Sequence, residues 1–206
     1  MELLKKQFGI ILLILIAQIA VAQTTTEIQS AFTLSYTYES GGEYGKAIDE
    51  IKKVYSEDNY EINIRLGWLN YEAGHFTVSI SYYQKAISLK PYSIEAKFGI
   101  VYPAAAAGNW DQVILHYNEI LKIEPKNSVV NYRLGVIYYE RKDYKKSFEY
   151  LENVVNLYPF DYDGLIMFAW CNYQLGNTRE AKVLFNKVLL LSPNDSSAKE
   201  GLGLLK

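Results

Sequence analysis

The chain has 206 residues, 50% of them apolar and 21% charged, with a formal charge of −2. That is long enough for one domain or a short repeat array with a sizeable buried core. The near-neutral balance excludes a long-range positive field that would gather nucleic acid or an anionic membrane surface.

At the N-terminus, Lys5 and Lys6 precede an apolar run from Phe8 to Ala17, and Ala20-Val21-Ala22 comes after it. This order of charge, apolar run and small residues is that of a secretory signal peptide, cleaved before Gln23. The run is shorter than the ~20 residues a membrane-spanning helix needs, and Gln18 interrupts its continuation. Membrane attachment is therefore expected only if the segment stays uncleaved. No Cys follows the cleavage point, which argues against a lipoprotein anchor. Residues 1–22 are read as the signal peptide and 23–27 as a short linker.

A first helix–turn–helix copy spans about 28–59, with Gly42 and Ala47 in phase with the later copies but no closing proline. Beyond it the chain keeps a period of 34: Pro91, Pro125, Pro159 and Pro193 close "YYQKAISLKP", "HYNEILKIEP", "FEYLENVVNLYP" and "LFNKVLLLSP". Gly74, Gly108 and Gly176 hold one register between the two helices of a copy, and Lys142 takes that place in "YERKDY". The copies fall at about 60–93, 94–127, 128–161 and 162–195, and 196–206 reads as a capping helix. Small residues face each other within copies, as Ser35/Ala47, Gly67/Ser79, Gly135/Ser147 and Ala169/Ala181, which lets paired helices approach closely. Asn177-x-x-Glu180 and Ser197-x-x-Glu200 read as capping boxes. The third copy departs from the rule, with Pro103 inside its first helix and Val101/Val113 in place of the small pair. An interior proline costs a helix ~3 kcal/mol. The expectation is a bend in a degenerate copy or, with the Ala104–Ala107 run, a hollow.

The repeat resembles the tetratricopeptide repeat (TPR), whose signature is W-x2-L-G-x2-Y followed by A, F and P. Leu134, Gly135 and Tyr138 stand at the L-G-x2-Y positions of the fourth copy; the second matches at Leu66 and Gly67 but has Asn70 for the Tyr. The resemblance implies an all-α fold, a right-handed solenoid of about five helix–turn–helix repeats with a C-terminal cap. One repeat cannot bury both its faces, so stability comes from stacked neighbours.

No catalytic motif is present. His75 falls in a turn and His116 on a helix, without a carboxylate or thiol at metal-ligand spacing. "SGGEYGK" (Ser40 to Lys46) lacks phosphate-loop spacing, and Cys171, the only cysteine, lies in the apolar run "MFAWCNY" as a small hydrophobe. A non-enzymatic protein without cofactor or metal is expected.

The resemblance further implies that the fifth, ninth and twelfth residues of each first helix face a concave groove where partners lie. These positions carry Phe32, Tyr36 and Glu39; Ile64, Trp68 and Tyr71; Phe98, Tyr102 and Ala105; Tyr132, Val136 and Tyr139; Ile166, Trp170 and Tyr173. The spacing i, i+4, i+7 puts them on one helix face in any case. The expected partner-binding residues are Tyr36, Trp68, Tyr71, Phe98, Tyr102, Tyr132, Tyr139, Trp170 and Tyr173. The tyrosines at the fifth and twelfth positions equally suit packing between helices; Trp68 and Trp170 either touch a ligand or lie partly beneath the neighbouring repeat. Acids rim the stripe at Glu39, Glu61, Glu72, Glu95, Glu140 and Asp163. The expected partner is an apolar or aromatic peptide or helix of another protein, with no nucleic acid. Carbohydrate stacking, as on cell-wall glycan, and self-assembly into a homo-oligomer through the groove are the alternatives. Export without disulfides suits the periplasm of a Gram-negative bacterium and a role in envelope assembly; secretion or N-terminal membrane anchoring are the other placements.

Overall fold

The computed structural model describes residues 25–205. The signal-peptide reading of residues 1–22 lies outside them. Among the described residues there are helices and no strand. Helix α1 covers 25–40; α2 is Tyr44–Lys53, α3 Tyr60–Glu72, α4 Phe76–Leu89, α5 Ile94–Ala106 and α6 Trp110–Ile123. Then come α7 Ser128–Glu140, α8 Tyr144–Leu157, α9 Tyr162–Gln174, α10 Thr178–Leu191 and α11 Ser196–Leu204. Thr25, Thr26 and Glu27 are helical, correcting the expected linker over 23–27. No Gly or Pro separates them from Ile28, so nothing stops the helix there.

The chain divides into two compact units, one through Val113 and one from Ile114. In the first, α3 pairs with α4 and both pack on α5; in the second, α7 and α8 pack on α9, and α9 and α10 on α11. Buried Ala47, Ile48, Ile51, Ile62, Leu66 and Leu69 form a core of the first unit. Leu151, Leu165, Phe168, Leu184, Phe185 and Val188 lie at the centre of the second.

Close helix approach is built on the small pairs. The Ser79 hydroxyl donates to the Gly67 carbonyl (2.6 Å) and the Ser147 hydroxyl to that of Gly135 (2.8 Å). A Cβ at Gly135 would lie 2.7 Å from Leu151, and one at Gly67 2.9 Å from the Tyr83 ring. On its other edge Tyr83 meets Gly99, where a Cβ would stand only 2.2 Å away. Tyr83 of α4 is thus a spacer wedged between glycines of α3 and α5.

The turns within pairs close by the Schellman pattern. The Gly74 N–H bonds the Tyr71 carbonyl (2.9 Å) and the His75 N–H that of Asn70 (2.8 Å). Gly42, Gly74, Gly108 and Gly176 have φ of 73° to 77°, and Lys142 adopts 61° in the same role. Position four of α3, α5 and α7 carries an unanticipated device. The Asn63 amide donates to the Glu57 and Asn59 carbonyls, Asn131 to Pro125 and Asn127, and the Lys97 ammonium to Pro91. These buried polar side chains tie the turn between repeats to the helix on its C-terminal side.

Both capping boxes are corrected. Asp195 caps α11, accepting from the Ala198 N–H (2.7 Å), which leaves Ser197 inside the first turn. Asn177 stands at the N-cap of α10 but makes no side-chain cap bond; its amide donates to Asn172 Oδ1 (3.1 Å). Helix α5 runs through Pro103 to Ala106, with Pro103 and Ala104 buried.

Candidate functional site

In the N-terminal unit, α1, α3 and α5 present their predicted faces as a run of aromatic rings. Tyr36 is 56% exposed, Tyr102 52% and Trp68 36%. Tyr71, half-buried, joins them: its ring centroid lies 5.8 Å from those of Trp68 and Tyr102 and 6.1 Å from Phe76. Phe32 sits 6.3 Å from Tyr36, and Phe98 is half-buried.

Beneath this face lies a charged cluster that the repeat register did not indicate. The Arg65 side chain is only 5% exposed. Its Nη1 pairs with Glu39 Oε2 (2.6 Å), its Nε donates to the Ser35 hydroxyl (3.1 Å), and the Tyr36 ring lies 3.9 Å over the guanidinium. Glu39 Oε1 accepts the Trp68 indole N–H at 2.5 Å. One carboxylate therefore holds both the cation and the indole, and Glu39 is a part-buried tie rather than a free rim acid. The signal in the sequence was a charge within the packed part of "NIRLGW", balanced by Glu39 in the preceding copy.

Phe32, Tyr36, Tyr60, Glu61, Ile64, Arg65, Trp68 and Glu95 line an open pocket of ≈ 340 Å³. Glu61 bonds Lys90 (3.2 Å), and its carboxyl sits below the ordinary value, chiefly through a backbone hydrogen bond and then through Lys90. The Tyr60 hydroxyl bonds Ser93 (2.6 Å) and donates to Glu95 (2.9 Å); burial first, with Glu95 adding, pushes its pKa up to about 12.

The predicted residues of the C-terminal unit behave differently. Tyr132, Tyr139, Trp170 and Tyr173 are partly buried against its core. Trp170 lies edge-on to Phe185 at 5.0 Å, and its indole N–H donates to Ser197 of α11 (2.8 Å). Tyr139 packs on Tyr144 at 5.3 Å, and burial raises the hydroxyl pKa of Tyr132 and of Tyr139. Tyr132 lines a second pocket of ≈ 380 Å³ with Val129, Arg133, Tyr158, Asp163 and others. Sequence reasoning missed the exposed Val129 and Tyr158 of this pocket, and the exposed Phe160 that follows Pro159. The available signal was the aromatic pair flanking Pro159, where other copies carry Lys90 and Tyr92, Glu124 and Lys126, or Ser192 and Asn194.

Tetratricopeptide repeat models match residues 130–161 and 163–195, which hold the pairs α7–α8 and α9–α10, and residues 60–93, which hold α3–α4. The chain carries tetratricopeptide repeats. A relative, the TPR repeat-containing protein YpiA of Bacillus subtilis (strain 168), is 25% identical over 169 residues. The match covers 81% of this chain, which spans only 40% of that protein's length. In fold the chain is similar to a tetratricopeptide repeat protein from Parabacteroides merdae ATCC 43184, with a TM-score of 0.73 at 18% identity over 87% of this chain and 72% of that one. MamA from Desulfovibrio magneticus RS-1 gives 0.68 at 16% identity, covering 82% and 97%. YrrB, described as a TPR protein with an unusual peptide-binding site, gives 0.64 at 20% identity, covering 79% and 81%.

Within these TPR units the chemically reactive side chains take structural places. His75 is exposed in its turn, and His116 is buried with Nδ1 3.0 Å from Glu119. The Cys171 thiol is buried and donates to the Tyr144 carbonyl (3.2 Å); burial pushes its pKa up, away from the reactive thiolate. Among the described residues no group of three or more His, Cys, Asp or Glu is placed to hold a metal ion.

Proposed function

We propose that this TPR protein is a non-enzymatic adaptor whose N-terminal unit binds an apolar or aromatic peptide or helix of a partner protein. The observation that carries the reading is the set of exposed rings Tyr36, Trp68 and Tyr102, the last two in contact with half-buried Tyr71, beside the ≈ 340 Å³ pocket. Exposed apolar rings grouped on one face mark interaction sites, and aromatic anchors carry much of the energy at protein interfaces. The peptide-binding site ascribed to YrrB, a neighbour in fold, supports a peptide as the partner. The charged, apolar and small-residue order of residues 1–22 supports export to a bacterial periplasm, where the adaptor would serve envelope assembly.

Affinity capture from an envelope extract, quantified by mass spectrometry for wild type and for Tyr36→Ala/Tyr102→Ala, tests the reading. A partner should be enriched by wild type and lost from the double variant, with both proteins equally helical. Equal recovery by the folded variant would overturn the placement. Trp68 fluorescence quenched by soluble glycan, without protein capture, would favour the carbohydrate alternative.

A further inference from the structure

Arg65 is left incomplete by its surroundings. Its Nε and Nη1 are engaged by Ser35 and Glu39, yet Nη2 is shut away from solvent and meets no acceptor. Buried polar groups are almost always paired, and an unpaired donor on a charged group is among the costlier exceptions. This one belongs to a side chain lining the ≈ 340 Å³ pocket, a size that accommodates a small ligand group.

The electrostatics decide what the missing acceptor is. The guanidinium charge is already matched by Glu39, and Glu61 and Glu95 line the same pocket. Lys90 balances Glu61 alone. A carboxylate would enter a site that already holds more acids than bases, whereas an uncharged carbonyl supplies the lone pair without the repulsion. Phe32, Tyr36, Tyr60 and Trp68 wall the space beside Arg65, which suits an apolar side chain next to that carbonyl.

Resting on the adaptor reading, we infer that this pocket recognises an uncharged amide carbonyl flanked by an apolar side chain, the carbonyl accepting from Arg65 Nη2. Tyr36, stacked on the guanidinium and more than half exposed, is the side chain that shifts to admit it.

The test uses ¹⁵N-labelled full chain and three probes with one apolar tail: 4-methylpentanamide, 4-methylpentanoate, and 4-methylpentanol as an apolar control without a carbonyl. Side-chain resonances of Arg65 and the Trp68 indole are followed by NMR. The neutral amide should move the Arg65 Nη2 protons downfield in wild type and bind at least fivefold tighter than the carboxylate or the alcohol. Arg65→Lys, which keeps a cation for Glu39, should lose that advantage while binding the alcohol as before. The wild-type Nη2 shift decides the matter even if this variant fails to fold. Tighter carboxylate binding, equal binding of all probes, or no Arg65 response to any probe would each overturn the inference. None of these outcomes touches the adaptor reading, which stands or falls on partner capture by the Tyr36→Ala/Tyr102→Ala chain.

Discussion

Replacing Gly99 by Ala puts the close packing of the N-terminal unit to a direct test. The new Cβ would stand 2.2 Å from Tyr83 Cε1 and 2.6 Å from Cζ, where carbon atoms ordinarily rest ~3.5–4.0 Å apart. The ring must therefore retreat by more than ~1 Å, yet Gly67 of α3 already closes its other side. Overpacking of this kind costs roughly 1–3 kcal/mol. Ala recovers ~1 kcal/mol of helix propensity over Gly, so the net expectation is a loss of about 0–2 kcal/mol. For a chain of this size that lowers Tm by up to about 8 °C. Gly203 of α11 is the control, because a Cβ there meets nothing within 4 Å. Gly203→Ala should stabilise by about 0.5–1 kcal/mol. Urea titration followed by circular dichroism reads both, and Gly99→Ala combined with Tyr83→Leu should be less damaging than the sum of the single changes. If Gly99→Ala gains as much stability as Gly203→Ala, the wedge is not there.

Other perturbations probe the same packing. Lys142→Gly should stabilise by up to ~1 kcal/mol in urea titration, because it relieves a non-glycine residue at φ 61°; a loss would contradict the turn. Trp170→Ala should cost about 2–3 kcal/mol, since the half-buried ring leaves a gap against Phe185 and Ser197. Trp68→Ala should cost less than Trp170→Ala, because the Trp68 ring is 36% exposed. Stability should also fall in alkali. Burial first raises the Tyr60 and Tyr83 hydroxyls above their ordinary value, so the native state holds protons that the unfolded state releases. That contribution is complete below the unfolded tyrosine pKa of ~10 and is lost as pH rises from there through the native values. Urea midpoints at pH 9 and 11 check this, and Tyr83→Phe should flatten the decline.

The repeat was legible because its punctuation is chemical. Gly74 and its counterparts are where the chain needs positive φ, and Pro91 and its counterparts are where a helix must stop. Gly67 with Ser79 and Gly135 with Ser147 were legible for the same reason, since only small residues fit there. Register could not separate Trp68 from Trp170, which occupy one position of the repeat. Their difference lies in neighbouring copies: Glu39 draws the Trp68 indole back toward α1, whereas Ser197 draws the Trp170 indole forward toward α11. Arg65 escaped notice because it stands outside the groove positions of the repeat, and its importance depends on Ser35, Tyr36 and Glu39 meeting it from another helix.

In the proposed function a partner docks on the exposed aromatic face of the N-terminal unit, and not on its counterpart in the C-terminal unit. NMR of the tryptophan indole N–H groups, recorded while a peptide from the captured partner is titrated in, tests it most directly. Docking there should give a saturable shift of the Trp68 resonance with Trp170, tied to Ser197, unmoved. A Trp170 shift with Trp68 unchanged would contradict it.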